Sequence, residues 1–220
     1  MNFDLIFKFL KDISKNNDRV WFEKNKPKYL AAKDEFDSFV AALLEELIRF
    51  DGSLHGLNPK KLTFRIYRDV RFSKDKRPYK TNMGASFSAT GKGMGRPGYY
   101  LHIEPGNKSF IAGGLYMPEP EILSKIRQEI DYNGKGLNKI MNDKKFEKDF
   151  AAFWDEDKLK RAPKGYAEDH PFIDWIKLKS FITTRMLTDK EVKDKKFLRQ
   201  LAGLAKSLKP LNDYLSEAMA

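Results

Sequence analysis

The sequence predicts a single α+β domain spanning residues 1–220, with a central, mainly antiparallel sheet flanked by N- and C-terminal helices. Three observations carry that prediction. Apolar residues recur at helical spacing before residue 50 and after residue 118. Between those stretches they alternate with a period of two, in short runs joined by short connections. No internal repeat, low-complexity tract or linker divides the chain.

Phe3, Ile6, Phe7, Leu10 and Ile13 follow Asn2, a candidate cap, and predict an amphipathic helix over residues 3–14 that ends at Asn16-Asn17. Asn17 or Asp18 then caps a short turn carrying Trp21 and Phe22. Pro27 suits the first turn of a longer helix whose core face is Tyr29, Ala32, Phe36, Phe39, Val40, Leu43, Leu47 and Ile48, stopped by Asp51-Gly52. From Leu62 the period changes. Leu62, Phe64, Ile66, Val70 and Phe72 fall on one side of an extended chain and Thr63, Arg65, Tyr67, Asp69 and Arg71 on the other, so residues 62–72 read as a strand with a bulge near Arg68.

Residues 84–90, Tyr99–Glu104 and Ser109–Ala112 read as further strands, with the glycine-rich stretch Gly91–Gly98 as a loop between the first two. Such short connections favour an antiparallel meander. Pro118 and Pro120 open a helix with Ile122, Leu123, Ile126 and Ile130 inward, and shorter helices are expected around Leu137–Met141, Phe146–Trp154 and Phe172–Ile176. Residues 180–187 alternate again. Thr188 and Glu191 then form a capping box for a final helix whose Phe197, Leu201, Leu204, Leu208, Leu211 and Leu215 make an apolar seam. The seam suits packing on the sheet; docking on a second subunit is the other reading, and monomer and homodimer both stay open.

Composition narrows the class. A chain with 41% hydrophobic and 13% aromatic residues can build a packed core, which argues against intrinsic disorder. The N-terminal run MNFDLIFKFLKDISKNN carries Asp4 and Asp12, the wrong pattern for a signal peptide, and it is too short for a membrane span, so a cytoplasmic protein without a membrane partner is expected. Cysteine is absent, which removes disulfides, thiolate nucleophiles and Cys-ligated metals. The formal net charge of +11 is concentrated: residues 60–80 carry nine basic and two acidic side chains, whereas residues 1–59 carry nine and ten. A basic tail or a uniformly cationic protein would distribute its charge differently.

The concentrated charge lies in the run FRIYRDVRFSKDKRPYK, residues 64–80. Arg65, Arg68 and Arg71 bring planar guanidinium groups suited to paired contacts with phosphate or carboxylate, and Asp69 could orient one of them or act as a base. The turn that follows adds Lys74, Lys76, Arg77 and Lys80, with Pro78 restricting it. The competing reading is structural: sheet arginines often pair with neighbouring carboxylates. His102 and Glu104 alternate in their strand and share a face with Tyr100. Were that face to meet the basic strand, Tyr67, Asp69, His102 and Glu104 would supply proton transfer beside an anion held by Arg65, Arg68, Arg71, Lys76, Lys80 and Arg185. Alternatively, His102 is a half-buried strand histidine. No third ligand at diagnostic spacing supports a metal site, and no cofactor is expected.

Other patterns carry less. Gly91–Gly98 lacks the Gly-Lys-Ser/Thr ending and the following helix that a phosphate loop needs. The Arg161–Tyr166 loop is read either as a connection between helices or as a second basic wall of the same cleft.

The 64–80 run, Asn16-Asn17 with Trp21-Phe22, YYLHIEP at residues 99–105, Gly113-Gly114-Leu115, Arg161–Tyr166 and Phe181–Arg185 together resemble the family called domain of unknown function 2461. The resemblance spans nearly the whole chain. It implies one intact domain and brings no catalytic roles with it. The residues themselves point to a protein that binds an anionic small molecule, and it is open whether it is an enzyme. The alternative is nucleic-acid binding, with the same cations on successive phosphates and Tyr67, Tyr79, Tyr99 and Tyr100 as stacking faces.

Overall fold

The computed structural model describes residues 1–93, 95–150 and 152–220. Helix α1 (Phe3–Lys15) begins where the Asn2 side chain accepts from the Leu5 amide, α2 (Arg19–Lys24) where Asp18 accepts from Trp21, and α3 (Lys26–Ile48) with a proline in its first turn. Their apolar faces meet: Phe3 stands edge-on to Phe39 at 5.0 Å, and Phe197 from the last helix stacks on Phe39 at 5.4 Å. No helix among the described residues is long and apolar enough to cross a membrane.

Strands β1 (Met83–Ser88), β2 (Gly98–Ile103), β3 (Ser109–Leu115) and β4 (Phe181–Leu187) form one sheet in that order, every neighbouring pair antiparallel. Among the described residues, three helices separate β3 from β4, namely α4 (Pro120–Met141), α5 (Lys144–Asp149) and α6 (Ile173–Ile176); α7 (Asp189–Val192) follows β4 and leads into α8 (Phe197–Glu217). One face of the sheet, with Ala85, Phe87, Tyr99, Leu101, Ile103 and Ile111, is buried against the helices. Helix α8 crosses it closely enough that a Cβ on Gly113 would lie 2.6 Å from Leu208. The buried Tyr99 hydroxyl donates to Asp51 at 2.8 Å, tying this face to the end of α3. The leucine seam of α8 thus packs within its own chain, with Leu201, Leu208, Leu211 and Leu215 fully buried.

Three expectations are corrected. Residues 62–72 form no strand and so no bulge at Arg68; only isolated bridges pair Thr63 with Ala85 and Tyr67 with Tyr79. The reason is competition from side chains for the backbone. Asp69 accepts from the Arg71 amide, Lys76 donates to the Val70 carbonyl and Arg68 to that of Arg77, which folds the segment into a loop. Its apolar row fails with it: Leu62 and Ile66 are buried, but Phe72 is 95% exposed. Secondly, the Thr188–Glu191 capping box closes on the single turn of α7, and α8 begins separately at Phe197. Thirdly, Leu137–Met141 is the end of α4, which continues through one non-helical residue, Asn133; a helix over Phe146–Trp154 is replaced by the shorter α5.

Candidate functional site on the open sheet face

Among the described residues, no helix lines the second face of the sheet. Register places Ser86, Tyr100, Ala112 and Thr184 in one row across the four strands, with Ser88, Gly98, Gly114 and Ile182 in the next. Side chains at the centre of this floor are small or missing. The glycines are required by the backbone: a Cβ on Gly98 would lie 2.2 Å from the Phe87 carbonyl oxygen, and one on Gly114, whose φ is +114°, 1.9 Å from that of Phe181. Above the floor is a cavity of about 710 Å³, walled by Phe64, Phe110, Tyr116 and Trp154. The Trp154 amide donates to Ile182 at the free edge of β4, and its ring lies 5.9 Å from Tyr116.

Along one side runs a polar row. His102 Nε2 lies 3.0 Å from Glu104 Oε2, and His102 Nδ1 faces the Tyr100 hydroxyl at 3.4 Å. A carboxylate only accepts, so Nε2 carries the proton and Nδ1 is left to accept from Tyr100. Phe110 stacks on the imidazole at 4.6 Å, and Thr81 donates to the other Glu104 oxygen. Burial lowers the His102 pKa below its ordinary value, partly opposed by Glu104 and reinforced by the Lys80 charge; burial raises that of the Tyr100 phenol. The phenol fits because residue 84 is glycine: a Cβ there would sit 2.7 Å from the Tyr100 oxygen.

The β1 edge of the cavity is cationic. Lys80 and Lys92 each place their ammonium 5.3 Å from the Phe64 ring centre. Lys92 also donates to the Thr63 carbonyl, and Arg96 lines the cavity from the β1–β2 hairpin. Lys80 is half-buried, and its pKa is pushed down by burial and then by the charges of Arg65 and Lys92. Among the described residues, Arg65, Lys80 and Arg96 have no carboxylate partner.

Lys80, His102 and Glu104 therefore share one neighbourhood, with Arg65 close by. The other candidates lie apart. Arg71 pairs with Asp69 at 2.6 Å in solvent, Arg68 pairs with Asp75 at 2.9 Å, and Lys76 serves the Val70 carbonyl. Tyr67 packs on Phe22 and Tyr79. Arg185 is on the opposite, helix-covered face, bonded to Glu191 beside a smaller cavity of about 390 Å³ whose Lys145 and Asp149 also balance in charge. The Arg161–Tyr166 loop is absent from the lining of the 710 Å³ cavity; Glu168 accepts from the Ala162 amide and pairs with Lys177. Sequence reasoning passed over Trp154, Tyr116, Phe110, Lys92 and Arg96. A usable signal existed in the small residues Ser86 and Ser88 alternating along β1, which leave that face unfilled.

These features define a class: a single α+β domain whose four-stranded antiparallel sheet is covered by helices on one face and open, over a cavity, on the other. The chain belongs to the family described as "Conserved hypothetical protein (DUF2461)", whose model matches residues 5–214. No curated protein and no solved structure matches it.

Proposed function

We propose that this is a cytoplasmic protein that binds an anionic small molecule, a carboxylate or phosphate, at the cationic edge of the open-face cavity. The observation that carries the reading is Lys80: half-buried, without an acidic partner among the described residues, and sharing the Phe64 ring with a second ammonium, that of Lys92. Withdrawing a cation from water beside like charges costs free energy that a bound anion offsets. The cavity's volume lies within the range of ligand sites.

The Tyr100–His102–Glu104 row equips the same site for acid–base work. A bound hydroxyl can pass its proton to the Tyr100 oxygen while the phenolic proton moves to His102 Nδ1, and Glu104 stabilises the resulting imidazolium. The nucleic-acid alternative draws less support, since Asp69 pairs with Arg71 and Asp75 with both Arg68 and Arg77, which leaves one net positive charge on the five groups.

Thermal-shift titration at low salt with inorganic phosphate and acetate tests the reading. Stabilisation of the wild type that is lost in Lys80→Ala is expected. Equal shifts in both proteins, or none in either, overturn it. Tight, steeply salt-dependent binding of random oligonucleotides, abolished by Arg71→Ala with Lys80→Ala, would transfer the site to nucleic acid.

A further inference from the structure

The cavity is polarised from one edge of the sheet to the other. At the β1 edge Lys80 and Lys92 flank Phe64; at the β4 edge Trp154 and Tyr116 form an aromatic wall next to Ile182. Between them the floor is Ala112 and Gly114, with no charged side chain. Three strand spacings separate β1 from β4, roughly 14 Å. A phosphate or acetate at the cationic edge would leave most of the 710 Å³, and all of the aromatic wall, unfilled.

We infer that the ligand is an amphipathic anion lying across the strands, with its charged head at the β1 edge against Lys80, Lys92 and Arg96 and its apolar body over Ala112 and Gly114 against Trp154. The inference rests on the anion-binding reading and adds the second half of the molecule to it. Charge complementarity gives the direction: among the described residues the cation lining this cavity is Arg96 of the β1–β2 hairpin, and Lys80 and Lys92 stand beside its Phe64 wall, whereas the wall at the β4 edge is Trp154, Tyr116 and Ile182. Two hydroxyls, on Ser86 and Thr184, make no side-chain hydrogen bond among the described residues and border the path. They offer contacts to a polar substituent without demanding one. The apolar floor gives affinity in proportion to the area covered.

The test is a calorimetric series on the full chain with acetate, hexanoate, decanoate and decanol, each below its aggregation concentration. Each buried methylene should tighten binding roughly threefold to fourfold, so decanoate should bind about a hundredfold tighter than hexanoate. Decanol, lacking the head, should bind at least tenfold more weakly than decanoate. Trp154→Ala should flatten the chain-length dependence, weakening decanoate by a much larger factor than acetate, whereas Lys80→Ala should weaken every anion by a similar factor. The wild-type series needs no variant to fold, so it decides by itself. Equal affinity for acetate and decanoate overturns this inference and leaves anion binding standing. Failure of acetate, phosphate and decanoate alike overturns both. Sedimentation with vesicles of anionic lipid, without binding of free decanoate, would overturn the free-ligand form in favour of a membrane surface.

Discussion

Two cationic regions lie next to each other in sequence and differ in every physical respect. In the loop from Arg68 to Arg77, each arginine has a carboxylate, each carboxylate also holds a backbone amide, and Arg71 and Arg77 are exposed to solvent while Arg68 is half-buried. At the cavity edge, Lys80 and Lys92 share the Phe64 ring and, among the described residues, pair with no carboxylate. The first arrangement spends its charge on shaping a loop. The second leaves charge available to a ligand. Positive charge per residue, which draws attention to the whole run in the sequence, does not separate the two; burial and missing partners do.

The largest expected effect tests the structural side of this contrast. Asn17 donates to the Tyr79 carbonyl at 2.9 Å and accepts from its amide at 3.0 Å, while Phe22 stacks on the Tyr79 ring at 4.1 Å. This clamp holds the returning arm of the loop on the helical layer. Asn17→Ala removes both hydrogen bonds and strands two backbone groups, so a loss of about 2 kcal/mol is expected in urea unfolding. Anion affinity should fall with it only as far as Lys80 is displaced. A stability change near zero would mean that the segment is held by Phe22 alone.

Lys80→Ala should behave in the opposite way. Affinity for a bound anion should drop by roughly tenfold, the worth of one charged hydrogen bond, while unfolding stability stays level or rises because a desolvated ammonium beside Arg65 and Lys92 is gone. Loss of stability together with unchanged binding would exchange the roles of the two regions.

His102 gives an intermediate effect that depends on pH. Its folded-state pKa is lowered, chiefly by burial, so below the unfolded value of 6.5 the unfolded chain takes up the proton more readily. The stabilisation is complete above that value and is lost as pH falls from 6.5 through the folded pKa. His102→Gln should flatten this acid-side decline in denaturation measured at a series of pH values. An unaltered slope would show that other groups produce it.

How much of this was legible in the sequence follows from the range of the interactions involved. Asn2, Asp18 and the Thr188–Glu191 box act within four residues, and each starts a helix, although the box opens the single turn of α7 and not the final helix expected of it. The meander was readable because β1, β2 and β3 keep their alternation and turn residues. Residues 62–72 misled because Asp69 and Asp75 bond to the backbone two residues on, and those contacts outweigh a pattern of alternating side chains. The common face of Tyr100, His102 and Glu104 was a matter of parity and held. Which cations would meet it depended on a loop path set by Asn17, some sixty residues away, and no local rule contains that information.

The smallest expected effect is the sharpest test of the contrast, because it demands no response from the most charged part of the chain. Asp69 is held down to about 2 by hydrogen bonds from the Arg71 side chain and amide, with the guanidinium charge adding to them. A lowered carboxylate pKa stabilises the fold above the unfolded value of 3.8, and that contribution is lost as pH falls towards 2. The pair is fully exposed, however, so solvent and salt screen most of it. Arg71→Ala should therefore move the Asp69 titration upwards, as read by carboxyl carbon chemical shifts, while the neutral-pH melting temperature and anion affinity stay within experimental error of wild type. The same substitution lowers the net charge from +11 to +10 as surely as Lys80→Ala does. If Arg71→Ala weakened anion binding as much as Lys80→Ala, whole-surface charge would be steering the ligand and the partnerless cation at the cavity edge would lose its special standing.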